Sequence, residues 1–159
     1  MRQHNLRILF FLLVLWGVAV ACSRREARFR IGVSQCSEDE WRRQMNSEIL
    51  REAHFYEDVE VDIRTAVDDN DRQAKDIREL IAEGVALLIV APNEATPITP
   101  VVEEAYNRGI PVIVVDRKIL SDKYTAYVGA DNYEIGKAVG EYVANVLHGQ
   151  GDVVEISGL

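Results

Sequence analysis

Cysteine is scarce in this chain. There are two, Cys22 and Cys36, with no CxxC spacing and no Cys/His cluster, so no zinc site is expected. Histidine is equally thin: His4, His54 and His148 stand far apart, and no HExxH pair exists to hold a catalytic metal. No GxGxxG or GxxxxGKS/T stretch can cradle a phosphate, and no GxSxG elbow can present a nucleophile. These absences point to a binding module, not an enzyme, without metal or cofactor. Basic charge is also short. The 18 Lys and Arg are outnumbered by 26 Asp and Glu, for a net charge of −8. Such a surface repels phosphate backbones, so nucleic acid is not an expected partner, and neutral ligands are favoured over anions.

Long apolar runs are limited to one, Ile8–Ala21, preceded by Arg2 and Arg7. As a helix it would reach about 21 Å, short of the ~30 Å hydrocarbon core, so residues 1–21 read as a signal peptide and not as a membrane span. Ala19-Val20-Ala21 is a small-residue cleavage site with Cys22 next, which suits either plain cleavage or lipidation at Cys22, a possible membrane tether. Export permits a disulfide, but a lipidated Cys22 would leave Cys36 free. Residues 22–28 are a charged tether.

From Phe29 onward strands and helices alternate. Phe29–Ser34 reads as a strand; Ser37 and Glu40 have capping-box spacing ahead of a helix striped by Trp41, Met45, Ile49 and Ala53. Val59–Val67 alternates apolar and polar, as an edge strand does. Asp69–Asp71 caps a helix over 72–83, stopped at Gly84. Val85–Ala91 and Ile110–Val115 are continuous apolar runs, typical of strands covered on both faces. Between them Thr99-Pro100 reads as the start of a helix ending near Arg108. Tyr127-Val128 is a short strand. Asp131 caps a helix over 133–147, whose Gly136 and Gly140 suggest close packing on the sheet, and Val153–Ile156 begins a further strand. Helical crossovers of this length imply an α/β fold with a doubly wound parallel sheet. The division expected is a lobe over 29–149 and a second lobe only begun at 150–159, within a longer protein.

In such a sheet ligands bind beyond the carboxyl ends of the strands. Those ends offer Gln35, Ser37, Glu38 and Asp39, with Trp41 just inside the helix; then Asn70; Asn93; Asp116 and Arg117; and Asn132. A sugar suits this rim. Each hydroxyl donates and accepts, so carboxylates, amides and a guanidinium must converge on it, and an aromatic such as Trp41 can face the apolar side of the ring. Trp41 fits core packing equally well. Asp68–Asp71 lacks the glycine and distal glutamate of a calcium loop, so capping is its expected role.

At these loops the sequence resembles the type I periplasmic binding proteins, the ribose-binding group related to the LacI-type repressor core. The resemblance is carried by LLIVAPNEA (87–95), GIPVIVVDRKI (109–119) and YVGADNYEIGKAVGEYVANVL (127–147). It implies that Asp116, Arg117, Asn93 and the loop Gln35–Trp41 contact a monosaccharide, and that a second lobe supplies the other half of the cleft. The paired aromatics usual after the first strand are replaced by SEDEW, leaving Trp41 alone. SQCSEDEWRRQMN with APNEATPITPVVEEAY is similar to the periplasmic sensors of hybrid two-component regulators, which implies a downstream kinase. The alternative is the binding lipoprotein of a sugar importer, whose partner is a membrane permease. Either location is periplasmic or at the cell envelope. A receiver domain would need paired acids after the first strand, where Ser34-Gln35 stands. A repressor would need a helix-turn-helix where the export segment lies.

Overall fold

The computed structural model describes residues 29–156. The expected signal peptide, the tether and the lipidation at Cys22 lie outside the described residues. Five strands run β1 Phe29–Gln35, β2 Val59–Thr65, β3 Leu87–Val90, β4 Val112–Val115 and β5 Ala126–Val128. Four helices alternate with them: α1 Glu40–Ala53, α2 Asn70–Ala82, α3 Ala95–Asn107 and α4 Asn132–Val146. The strands form one sheet in the order β2-β1-β3-β4-β5, every pair parallel. The expected α/β parallel architecture is the one observed.

Alternation along the strands sorts their side chains between two layers. Leu88, Val90, Val112 and Val114 point to one face and join Ile77, Leu80, Ile98 and Val101 of α2 and α3 in the main core. Gly32 lies on the same face, where a Cβ would sit 3.1 Å from both Leu80 and Val85, so close packing of α2 requires glycine. Ile31, Val61 and Ile89 point the other way and share an apolar cavity of about 350 Å³ with Ile49 and Ala53 of α1. Helices therefore cover both faces. At the free edge, Arg64 of β2 pairs with Asp62, Glu79 and Glu83, and Arg30 of β1 pairs with Asp62 and Glu83. Hydrogen bonds to Glu83 and Asp62, aided by their negative charge, raise the Arg64 pKa. Charges on an outer strand guard it against pairing with another chain.

Four local expectations differ. α1 begins two residues beyond Ser37-Glu38: Asp39 is the N-cap and accepts from the Arg42 amide. α3 starts at Ala95, with Pro100 inside it. Thr99 is not its cap; the hydroxyl donates to Ala95 O at 2.7 Å and accepts from the Leu120 amide at 2.8 Å. Pro97 falls in the first turn, where amides have no helical acceptor, so only Pro100 removes a bond. Finally, α4 buries no residue. Gly136 and Gly140 face an open cavity of about 790 Å³ along with Val153 and Val154, and not the sheet. Residues 152–156, where a further strand was expected, carry no regular structure.

Candidate functional site

Because every strand is parallel, all five carboxyl ends open on one edge, and the order reverses between β1 and β3. That reversal parts the flanking crossovers and leaves a crevice above it. The joint beneath the crevice is Gln73 of α2, fully buried. Its Nε2 donates to Ala91 O at 2.9 Å and Ser34 Oγ at 3.2 Å, and its Oε1 accepts from the Asn93 amide at 2.9 Å. One side chain thus ties the end of β1 to the loop after β3.

Two clusters rise above it. In the first, Ser37 Oγ donates to Asp39 Oδ2 at 2.7 Å, and Arg42 Nη2 of α1 reaches Asp116 Oδ2 after β4 at 2.5 Å. The Ser37 hydroxyl, then the Arg42 amide, hold the Asp39 carboxyl below its ordinary pKa. In the second, Asn93 Nδ2 donates to Asn70 Oδ1 at 2.9 Å, Asn70 Nδ2 donates to Glu94 Oε1 at 2.9 Å, and Arg117 Nη1 donates to Asn93 O at 2.5 Å. Ser37, Asp39, Asn70, Asn93, Asp116 and Arg117 are therefore drawn into two clusters at one edge. Adjacent residues Asp116 and Arg117 join the two.

The remaining candidates stand differently. Gln35 is fully buried below the rim, where its Nε2 donates to Asn46 Oδ1 at 2.6 Å and its Oε1 has no hydrogen-bond partner. Glu38 is exposed, and its carbonyl accepts from the Arg43 guanidinium. Trp41 is 55% exposed, so it is not a core residue; the Arg42 guanidinium lies 4.5 Å from its ring centroid. Asn132 is exposed at the first position of α4, and no hydrogen bond ties it to either cluster. Asp69 and Asp131 are helix caps, as expected. Among the described residues no group of three His, Cys, Asp or Glu is placed to hold a metal ion.

Arg42 was not among the sequence candidates, and it is the most telling residue of the site. It is only 4% exposed, and its Nε and Nη1 are buried without a hydrogen-bond partner. An unsatisfied buried N–H of a charged group costs at least about 1–3 kcal/mol. Its side chain lies on the inward stripe of Asn46, Ile49 and Ala53, so a long polar side chain on an inward stripe was the readable signal. Gln73 carried the same signal, on the stripe of Ile77 and Leu80. Backbone strain gathers at this edge too: Val67, Asp68 and Asp116 have φ of 56°, 62° and 67°. Non-glycine residues held there cluster at functional sites.

Residues 31–159 match the family described as periplasmic binding protein domain. Among curated proteins, the chain is 33% identical over 153 residues to the galactofuranose-binding protein YtfQ of Escherichia coli, covering 92% of this chain and 48% of that protein. It is 31% identical over 101 residues to the ribose import binding protein RbsB of Bacillus subtilis, covering 64% of this chain and 33% of that protein. Among solved structures, the fructose-binding periplasmic domain of a hybrid two-component system superposes with a TM-score of 0.74 at 66% identity, over 78% of this chain and 41% of that one. A solute-binding protein from Bacillus halodurans with bound myo-inositol gives 0.71 at 30% identity, over 77% and 43%. The chain spans between a third and a half of the length of these relatives.

Proposed function

The chain belongs to the periplasmic binding protein domain family, and from that premise we propose that it is the first lobe of an extracytoplasmic monosaccharide sensor that feeds a two-component kinase. The family implies a location outside the cytoplasm. Among the described residues no helix is long and apolar enough to cross a membrane. The observation that carries the reading is the pairing of buried Arg42, with two unsatisfied nitrogens, to Asp116 at the rim. Sugar hydroxyls accept from such nitrogens and donate to such a carboxylate in the same stroke. Arg117 and Asn93 lie beside the pair to take further hydroxyls, and exposed Trp41 offers a ring face. Identity of 66% to a fructose-binding domain of a hybrid two-component system favours the sensor and a ketohexose.

We place the second lobe at α4, not at residue 150. α4 leaves Ile135, Val139, Tyr142 and Val146 exposed, an apolar face that a continuing chain would cover. The segment would then supply half a cleft, and closure on the sugar would bias the signalling domains through a higher affinity of the closed state. It binds and does not catalyse. The import proteins among its relatives support a second reading, the receptor of a sugar importer. The two readings part beyond the second lobe, where a sensor carries a membrane span and a kinase and an importer receptor carries neither. Calorimetry of the complete two-lobed protein against D-fructose, D-ribose, L-arabinose and D-galactose tests the shared claim. One of them should bind with a dissociation constant in the micromolar range or tighter, and a flat titration with all four would sink the sugar assignment.

A further inference from the structure

Tyr127 bridges the core and the rim. It sits on β5 opposite Val114 and packs on the main core, yet its hydroxyl reaches beyond the strand end. It donates to Asp116 O at 2.6 Å and lies 3.3 Å from Ala130 O. A phenol has one proton to give, so the shorter contact is the principal bond. Asp116 is the rim residue with φ of 67°, and its amide donates to Val128 O at 2.9 Å. The Asp116 peptide units are thus held by the last two residues of β5.

Gly129 completes the arrangement. A Cβ there would fall 2.2 Å from the Tyr127 hydroxyl and 2.9 Å from Asp116 O. Its φ lies outside the left-handed region, so it is the space and not the backbone conformation that asks for glycine. Gly129, Ala130 and Asp131 form the link between the sheet and α4, the helix that buries nothing on the sheet.

We propose that Tyr127 is a positioning residue that couples the Asp116 loop to the link carrying α4. Its hydroxyl keeps Asp116 in the left-handed conformation that aims the carboxylate at Arg42. The same hydroxyl packs over Gly129 and beside the Ala130 carbonyl, so a rotation of the link displaces it and loosens Asp116. Conversely, an Asp116 fixed by ligand selects one orientation of the link. The ligand half of this coupling rests on the sugar-binding reading; the mechanical half does not.

The test uses the complete two-lobed protein and the variant Y127F, which keeps the ring and loses only the hydroxyl. Without sugar, hydrogen exchange over residues 116–118 and 129–133 should speed up at least about fivefold, while β1 and β3 keep their protection. Gly129→Ala should give the same local pattern with the tyrosine present, because the added methyl evicts the hydroxyl. With D-fructose as probe, Y127F should bind roughly five- to tenfold more weakly, the loss of about one hydrogen bond's worth of positioning. Unchanged exchange at both segments in Y127F, or in Gly129→Ala, overturns the coupling. So does faster exchange spread evenly over the whole sheet, which marks loss of stability alone. A parent protein that gives no heat with fructose counts against the sugar reading and leaves the exchange arm to decide the coupling.

Discussion

Remove the charge from Asp116 by Asp116→Asn and, separately, from Arg42 by Arg42→Met, in the two-lobed protein without ligand. The two ends of this ion pair sit in different environments: the side chain of Arg42 is 5% exposed and that of Asp116 is 42% exposed. Asparagine tolerates the positive φ of position 116 and keeps an acceptor, but it leaves a buried guanidinium whose nearest other carboxylate, Asp39, is 3.9 Å from Nε. An interior cation that loses its counter-charge costs several kcal/mol when fully enclosed. With one partner open to water the figure falls to about 1–3 kcal/mol. In Arg42→Met, by contrast, the freed carboxylate is hydrated, and methionine fills the slot of the aliphatic stem. The two unsatisfied nitrogens vanish as well. Stability should then change by less than about 1 kcal/mol and can rise, while sugar affinity falls about tenfold or more. Urea unfolding followed by circular dichroism, with equal m-values for the variants, measures the first quantity and calorimetry the second. An Arg42→Met protein less stable than Asp116→Asn would refute the reasoning, because it would mean that the pair stabilises the fold more than burial of Arg42 strains it.

Gly32→Ala should cost about 1–3 kcal/mol in urea unfolding, since its methyl meets Leu80 and Val85 at 3.1 Å in a packed layer. Gln73→Leu strands the Asn93 amide and Ala91 carbonyl and should lower stability by about 2–4 kcal/mol in the same assay. Asp39 has a folded pKa below its unfolded one, so it contributes stability above the unfolded value of about 4 and loses it as pH falls through the folded value. Acid titration of unfolding should show a shallower slope below about pH 4 in Asp39→Asn. The exposed indole of Trp41 should change its emission when sugar binds and the lobes close, and a Trp41→Phe variant should lose that signal.

Periodicity made the layers legible. Unbroken apolar runs at Val85–Ala91 and Ile110–Val115 marked the strands Leu87–Val90 and Val112–Val115, and the alternation of Val59–Val67 marked the edge strand Val59–Thr65. Caps at Asp69 and Asp131 were legible because a short carboxylate before a helical stripe has one economical use. Thr99-Pro100 misled because the Thr99 hydroxyl does not cap the helix: it donates back to Ala95 O within it and accepts from the Leu120 amide, and Pro100 lies in the second turn. At the rim, strand ends revealed Asp116, Arg117 and Asn93, since position on the sheet follows from topology. Arg42 stayed hidden inside the charged run Glu38–Arg43. Its place on the stripe of Asn46, Ile49 and Ala53 sets it apart from Arg43, but its partner Asp116 lies 74 residues away, and no local pattern encodes that distance. Tyr127 was hidden likewise, its hydroxyl being defined by where two loops meet.

The order of strands in this sheet has a consequence for synthesis. β1 leaves the ribosome first yet lies between β2 and β3, so its apolar residues wait for neighbours made much later. Residues Ile31 to Ser34 meet their β3 partners only after Leu87 to Val90 have emerged, and Arg42 meets its counter-charge later still. A nascent chain stopped anywhere before Asp116 lacks the Arg42–Asp116 pair. Delay of this kind makes the rim a late product of synthesis: the Arg42–Asp116 pair can form only once β4 has been made.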